Sequence, residues 1–181
     1  MTNTSDNSLG CKIFLIGFMG SGKSHWGNIW ARRYAMDFYD LDEVIVARAG
    51  KTIAAIFEKE GEGYFRQLET EALLGFADKE NCIVACGGGA ACFNDNLDWM
   101  NEQGTTIYLS ATPQFIFDHV IGEKNKRPLI KQLNEAELLF FIEQKLKERE
   151  MFYSQAQYIL PVNELSDNSL SHLSLPKPLN L

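Results

Sequence analysis

Residues 17–24 read GFMGSGKS, and few stretches this short restrict a fold so sharply. They fit G-x-x-x-x-G-K-[ST], a pattern that average glycine usage would produce by chance roughly once in a hundred chains of this size. The flanks match what such a loop needs. Residues 12–17 form a short apolar run that predicts a buried strand, and residues 23–35 carry a helical pattern. In a strand–loop–helix unit the glycines let the backbone turn tightly, so that several N–H groups converge on phosphate oxygens. The helix N-terminus adds its partial positive charge. Lys23 would reach the β- and γ-phosphates, and the Ser24 hydroxyl could ligate magnesium. The nucleotide-contacting set expected here is Gly20, Ser21, Gly22, Lys23, Ser24 and His25.

The rest of the chain repeats the alternation. Strand-like runs are predicted at 38–41, 82–86, 105–109 and 158–162. Helical patterns are predicted at 42–49, 53–60, 63–79, 94–102, 113–121 and 134–153. On the helix at 63–79, Phe65, Leu68, Ala72 and Phe76 form one apolar stripe. Strand alternating with helix argues for an α/β fold, a parallel sheet with helices on both faces. No internal repeat or linker interrupts it, so a single domain is expected over residues 1–181, with a core at about 11–175. Residues 1–10 and 175–181 read as loose ends. Residues 122–129 are polar and basic and read as a mobile loop.

Net charge is −7, from 17 Lys and Arg against 24 Asp and Glu. That argues against nucleic acid or anionic membrane as partner through bulk charge. An anionic substrate would have to be held by a few placed cations. No apolar run approaches the roughly 20 residues needed to span a bilayer. Cys11, Cys82, Cys86 and Cys92 have no metal-binding spacing; they read as small buried thiols in a reducing cytoplasm.

Several residues stand out as candidates for chemistry. Asp40 and Asp42, two apart near a strand end, would face the ligand crevice beyond the carboxyl ends of the sheet. One can hold magnesium through water; the other can accept or orient the proton of an attacking hydroxyl. A plain helix N-cap is the competing account. Arg66 lies beside the apolar stripe and one turn from Glu69, which could simply pair with it. Arg149 follows Ile142 and Leu146 on an inward-facing stripe, where a cation needs an anionic partner unless it snorkels. Two arginines converging on one crevice would suit a carboxylate. Arg127, in the basic stretch before Pro128, suits a lid over ATP at about 120–131. Gly87, Gly88 and Gly89 follow a strand and mark close approach of backbone to a ligand, or else a simple strand-to-loop break.

In combination these residues resemble the shikimate kinase family. The ordered series is GFMGSGKS at 17–24, FYDLD at 38–42, GEGYFRQLE at 61–69, the glycine triplet, RPL at 127–129, and Arg149 with Tyr153. The resemblance spans about residues 12–173. It implies a three-layer α/β/α P-loop kinase fold, like that of nucleoside-monophosphate kinases, with a five-stranded parallel sheet and a substrate-binding segment at about 40–70. It implies transfer of the ATP γ-phosphate to the 3-hydroxyl of shikimate, a step towards chorismate and the aromatic amino acids. Ser24 and Asp40 would organise Mg2+, and Asp42 would hold substrate hydroxyls and act as base. Arg66 and Arg149 would clamp the shikimate carboxylate, with Gly87, Gly88 and Gly89 alongside. Lys23 and Arg127 would stabilise the transition state. The expected form is a cytoplasmic monomer. His25 stands where the family commonly has Thr, Trp26 where it has a smaller aliphatic residue, and Cys86 where Thr or Ser often precedes the triplet. The competing functions are a gluconate-type small-molecule kinase and a non-catalytic nucleotide-binding module.

Overall fold

The computed structural model describes residues 11–126 and 129–175. Five strands, β1 (Lys12–Ile16), β2 (Asp37–Asp40), β3 (Cys82–Ala85), β4 (Thr105–Ser110) and β5 (Tyr158–Pro161), form one sheet in the order β2-β3-β1-β4-β5. Every pairing is parallel. The helices are α1 (Lys23–Arg33), α2 (Leu41–Ala49), α3 (Ile53–Leu74), α4 (Asn96–Gln103), α5 (Pro113–Val120) and α6 (Glu135–Tyr153).

Central β1 shows how the sequence builds the layers. Its side chains alternate with period two. Ile13 and Leu15 pack into the apolar layer under Trp30 and Ala31 of α1 and Tyr34 at its C-terminal cap. Phe14 and Ile16 pack into the opposite layer, which takes buried residues from α2 to α6. Both faces are covered, so β1 is apolar throughout except Lys12. That lysine is 5% exposed and donates to the Ala77 carbonyl at 2.8 Å. Burial lowers its pKa. Each large apolar side chain buried this completely contributes about 1.5–3 kcal/mol.

Three elements differ from the sequence reading. The helices expected at 53–60 and 63–79 form one element, α3, broken at Gly61 (φ 83°, ψ 173°) and ending at Leu74. Gly61 takes a conformation essentially closed to other residues. The stripe from Phe65 to Ala72 packs as expected, but Phe76 enters the core from a turn. The polar stretch read as a loop begins with a 3-10 helix at Ile121–Lys126 that continues α5. Lys124 ties it down by donating to the Leu133 carbonyl at 2.6 Å. Finally, the strand expected to include Leu41 stops at Asp40, whose carboxylate accepts from the Asp42 N–H and caps α2. No described helix is long and apolar enough to cross a membrane.

Candidate active site

β1 runs between β3 and β4, and the loops after β1, β2 and β3 leave from the same carboxyl edge of the sheet. A crevice at that edge is where an open α/β sheet binds ligands. Gly22 closes the first loop as the N-cap of α1 with φ 87°, a left-handed conformation that glycine adopts without strain. Trp26, the unusually large residue on α1, lies against this turn, stacks on Trp30 at 5.7 Å and meets His25 edge to face.

Two cavities open along the crevice. One, of about 510 Å³, is lined by the loop residues Gly20, Gly22, Lys23, Ser24 and His25 together with Asp40. The Lys23 ammonium donates to the carbonyls of Gly17 at 2.7 Å and Phe18 at 2.8 Å. The Ser24 hydroxyl donates to Asp40 Oδ2 at 2.5 Å. Ser21, expected among the nucleotide contacts, does not line this space: its side chain is buried and its N–H donates to the Phe18 carbonyl.

The second cavity, of about 250 Å³, is lined by Arg66, Glu69, Arg149, Gly89, Phe57 and Phe65 among others. Met19, Asp42, Gly87 and Gly88 line both cavities. The structure therefore brings Asp42 to their junction, but by a different route from the one the sequence suggested. Asp42 lies in the first turn of α2, within the helix expected from residue 42, so strand alternation does not relate it to Asp40. Asp40 is at once the expected helix cap and the Ser24 partner, one oxygen serving each role.

The two arginines are held by different means. Arg66 donates through Nη1 to Glu69 at 2.7 Å and through Nη2 to Glu62 at 2.8 Å, so the pairing raised as the alternative for Arg66 exists. It does not remove Arg66 from the cavity wall. Burial works to lower the Arg66 pKa, but the charges and hydrogen bonds of Glu69 and Glu62 outweigh it, and the net shift is upward. Glu69 is fully buried, and burial raises its carboxyl above the usual range against the pull of Arg66. Its Oε1 has no hydrogen-bond partner among the described residues. Arg149 donates through Nη1 to the Gly88 carbonyl at 2.9 Å, and the Tyr153 hydroxyl donates to the same oxygen.

The glycine triplet is explained by these side chains. A Cβ on Gly87 would lie 2.3 Å from Glu69 Oε1, and one on Gly89 2.6 Å from both terminal nitrogens of Arg66. What the backbone approaches so closely is the arginine–glutamate pair forming the cavity wall. Cys86, just before the triplet, is buried and its thiol pKa is pushed far up. It contributes only long contacts, to the Val84 carbonyl at 3.8 Å and to Met100.

Arg127 and Pro128 lie outside the described residues; Leu129 beside them lines the arginine cavity. Sequence reasoning gave Glu69 no role beyond pairing with Arg66, Phe57 none, and Tyr153 none beyond its place four residues after Arg149. Tyr153 carries a usable signal, since positions four apart on a helix share a face. Among the described residues no three or more His, Cys, Asp or Glu group to hold a metal.

The family model for shikimate kinase matches residues 19–173. A shikimate kinase of Bacteroides thetaiotaomicron is 42% identical over 86% of this chain and 89% of its own length. Its crystal structure superposes with a TM-score of 0.82, at 41% identity over 86% of this chain and 89% of that one. The Acinetobacter baumannii shikimate kinase, solved in complex with shikimate, gives a TM-score of 0.80 at 32% identity, covering 91% of this chain and 90% of that one. A gluconokinase of Sinorhizobium meliloti shares the fold alone, with a TM-score of 0.55 at 16% identity over 86% of this chain and 87% of that one. The chain belongs to the shikimate kinase family.

Proposed function

We propose that this chain transfers the γ-phosphoryl group of ATP to the 3-hydroxyl of shikimate, with the nucleotide in the phosphate-loop cavity and the acid in the arginine cavity. The observation that carries this is the shared wall: Asp42, Gly87 and Gly88 belong to both cavities. A donor and an acceptor would meet beside one carboxylate.

The roles follow from position. Loop N–H groups and the start of α1 hold phosphate oxygens. The Lys23 ammonium, parked on two carbonyls, turns to the anion, where a charge-assisted bond is stronger. Asp42 orients the attacking hydroxyl and accepts its proton. Arg66 and Arg149 hold the substrate carboxylate away from the reacting centre, so that binding fixes the hydroxyl in line. Arg127 adds positive charge at the transferring group, as expected from its place in the sequence.

The hydroxyl of Ser24 and the carboxylate of Asp40 are hard oxygen donors that already meet. Two such protein donors, with phosphate and water completing the shell, suit magnesium. When bound, Mg2+ neutralises phosphate charge. The same reading includes a monomer working in the cytoplasm, testable by sedimentation and fractionation.

The test is ADP release measured with shikimate, gluconate and nucleoside monophosphates in parallel. Turnover with shikimate alone is expected. Equal turnover with gluconate, or none with any acceptor, would end this reading.

A further inference from the structure

Phe93 is a large apolar side chain left 38% exposed just beyond the glycine triplet, on a segment with no regular structure. Its ring is not idle. The Arg66 guanidinium carbon lies 4.5 Å from the Phe93 centroid, closer than the 5.2 Å that separates it from the Phe65 centroid. The next residue grips the same turn of α3: the Asn94 amide donates to Thr70 Oγ1 at 2.9 Å and to the Arg66 carbonyl at 3.4 Å. Asn94 and Asp95 both adopt positive φ, 53° and 54°. Residues 93 and 94 thus hold α3 at two points, one on the Arg66 backbone and one on its charged end.

We infer that Phe93 is a positioning residue for the acceptor site, fixing the plane of the Arg66 guanidinium by a cation–π contact. The physical case rests on what the other contacts leave open. Glu62 and Glu69 bond the guanidinium at its edges. Glu62 is half exposed, and an exposed ion pair constrains geometry weakly. A ring in contact with the guanidinium restricts the tilt that edge contacts permit and keeps water off the side it covers. A forked bond to a carboxylate is sensitive to that tilt. Phe93 does not line the arginine cavity itself, so its effect on substrate passes through Arg66. The inference deepens the proposed function and rests on Arg66 as a carboxylate clamp.

The experiment compares F93A, F93L and F93Y with the unaltered protein by two readouts. The first is the Arg66 Nε–H resonance, assigned through loss of its signal in R66K. The second is steady-state kinetics with shikimate and ATP. In F93A the Arg66 resonance is expected to lose its ring-current shift and exchange faster with water; in F93Y both are retained. F93A and F93L are expected to raise the shikimate KM about fivefold, in line with a partly desolvated cation–π contact, while kcat and the ATP KM change less than twofold. F93Y restores the shikimate KM. An Arg66 resonance unchanged in F93A overturns the inference, whatever the substrate proves to be. So does F93L matching F93Y in KM, which would make the ring simple packing, or equal loss in both KM values. Failure of the unaltered protein to phosphorylate shikimate would instead remove the clamp reading and leave the resonance to decide on the Phe93–Arg66 contact.

Discussion

The Ser24 hydroxyl and Asp40 Oδ2 share a hydrogen bond at 2.5 Å, joining the end of the phosphate loop to the end of β2. The other oxygen of Asp40 caps α2 through the Asp42 N–H. One carboxylate therefore has two separable duties. Asp40→Asn keeps the cap, because asparagine caps as well as aspartate, but removes the negative charge offered to magnesium. Unfolding midpoints should be almost unchanged, while turnover falls more than tenfold and the magnesium needed for half-maximal rate rises. Asp40→Ala should lose the same activity and in addition about 1 kcal/mol of stability with the cap. Equal activity of the Asp40→Asn variant and the unaltered protein across a magnesium titration would remove Asp40 from the metal site.

Gly89 faces the Arg66 guanidinium so closely that an added Cβ would sit 2.6 Å from two of its nitrogens. Its backbone has ordinary φ, −105°, so alanine there is not strained and gains about 0.4–1 kcal/mol through the unfolded state. Arg66 is the group that must shift, and moving it strains its bond to the fully buried Glu69, which is costly. Gly89→Ala is therefore expected to lose stability on balance and to bind shikimate poorly. A chemical melt and a shikimate titration on the same preparation separate the two effects. Unaltered shikimate affinity would show that the triplet serves the chain turn alone.

Much of this arrangement could be read from the residues, and the gaps have physical causes. The phosphate loop was legible because its glycines are dictated by local backbone geometry, such as the positive φ of Gly22. The parallel sheet was legible from short apolar runs spaced by helical periods. Strand alternation does not link Asp40 and Asp42, because Asp40 caps a helix that starts at Leu41, one residue before the expected start, and a side-chain-to-backbone bond outweighs a two-residue alternation. Glu69 reads in the sequence only as a possible partner for Arg66, since an i,i+3 pair looks the same whether exposed or buried. Only the backbone of the glycine triplet packed over it shows that it is interior. Phe93 sits outside any periodic segment, and periodicity is the main signal a sequence offers.

Arg149 and Tyr153 both donate to the Gly88 carbonyl. In Arg149→Ala the tyrosine still holds that turn, so the fold of the crevice should survive. What is lost is a charged hydrogen bond to the acceptor, worth about 1.5–3 kcal/mol. The shikimate requirement should rise by roughly ten- to hundredfold, with the ATP requirement nearly constant. Equal increases in both would contradict a carboxylate clamp at this position.

Glu69 offers a test by pH. Burial raises its carboxyl above the ordinary range, more than Arg66 and Arg149 lower it. The folded protein therefore holds that proton more tightly than the unfolded chain does. The stabilisation this gives is complete below the ordinary carboxylate range and is lost as pH rises through the raised value. Glu69→Gln resembles the protonated form at every pH and keeps a carbonyl for the Arg66 bond. In urea unfolding, the variant should be close to wild type near pH 4 and gain on it steadily towards pH 7, when both are measured at matched ionic strength. A difference that stays flat, or that turns against the variant as pH rises, would mean that the buried ion pair stabilises the ionised carboxylate in full and that its burial is no burden to the fold.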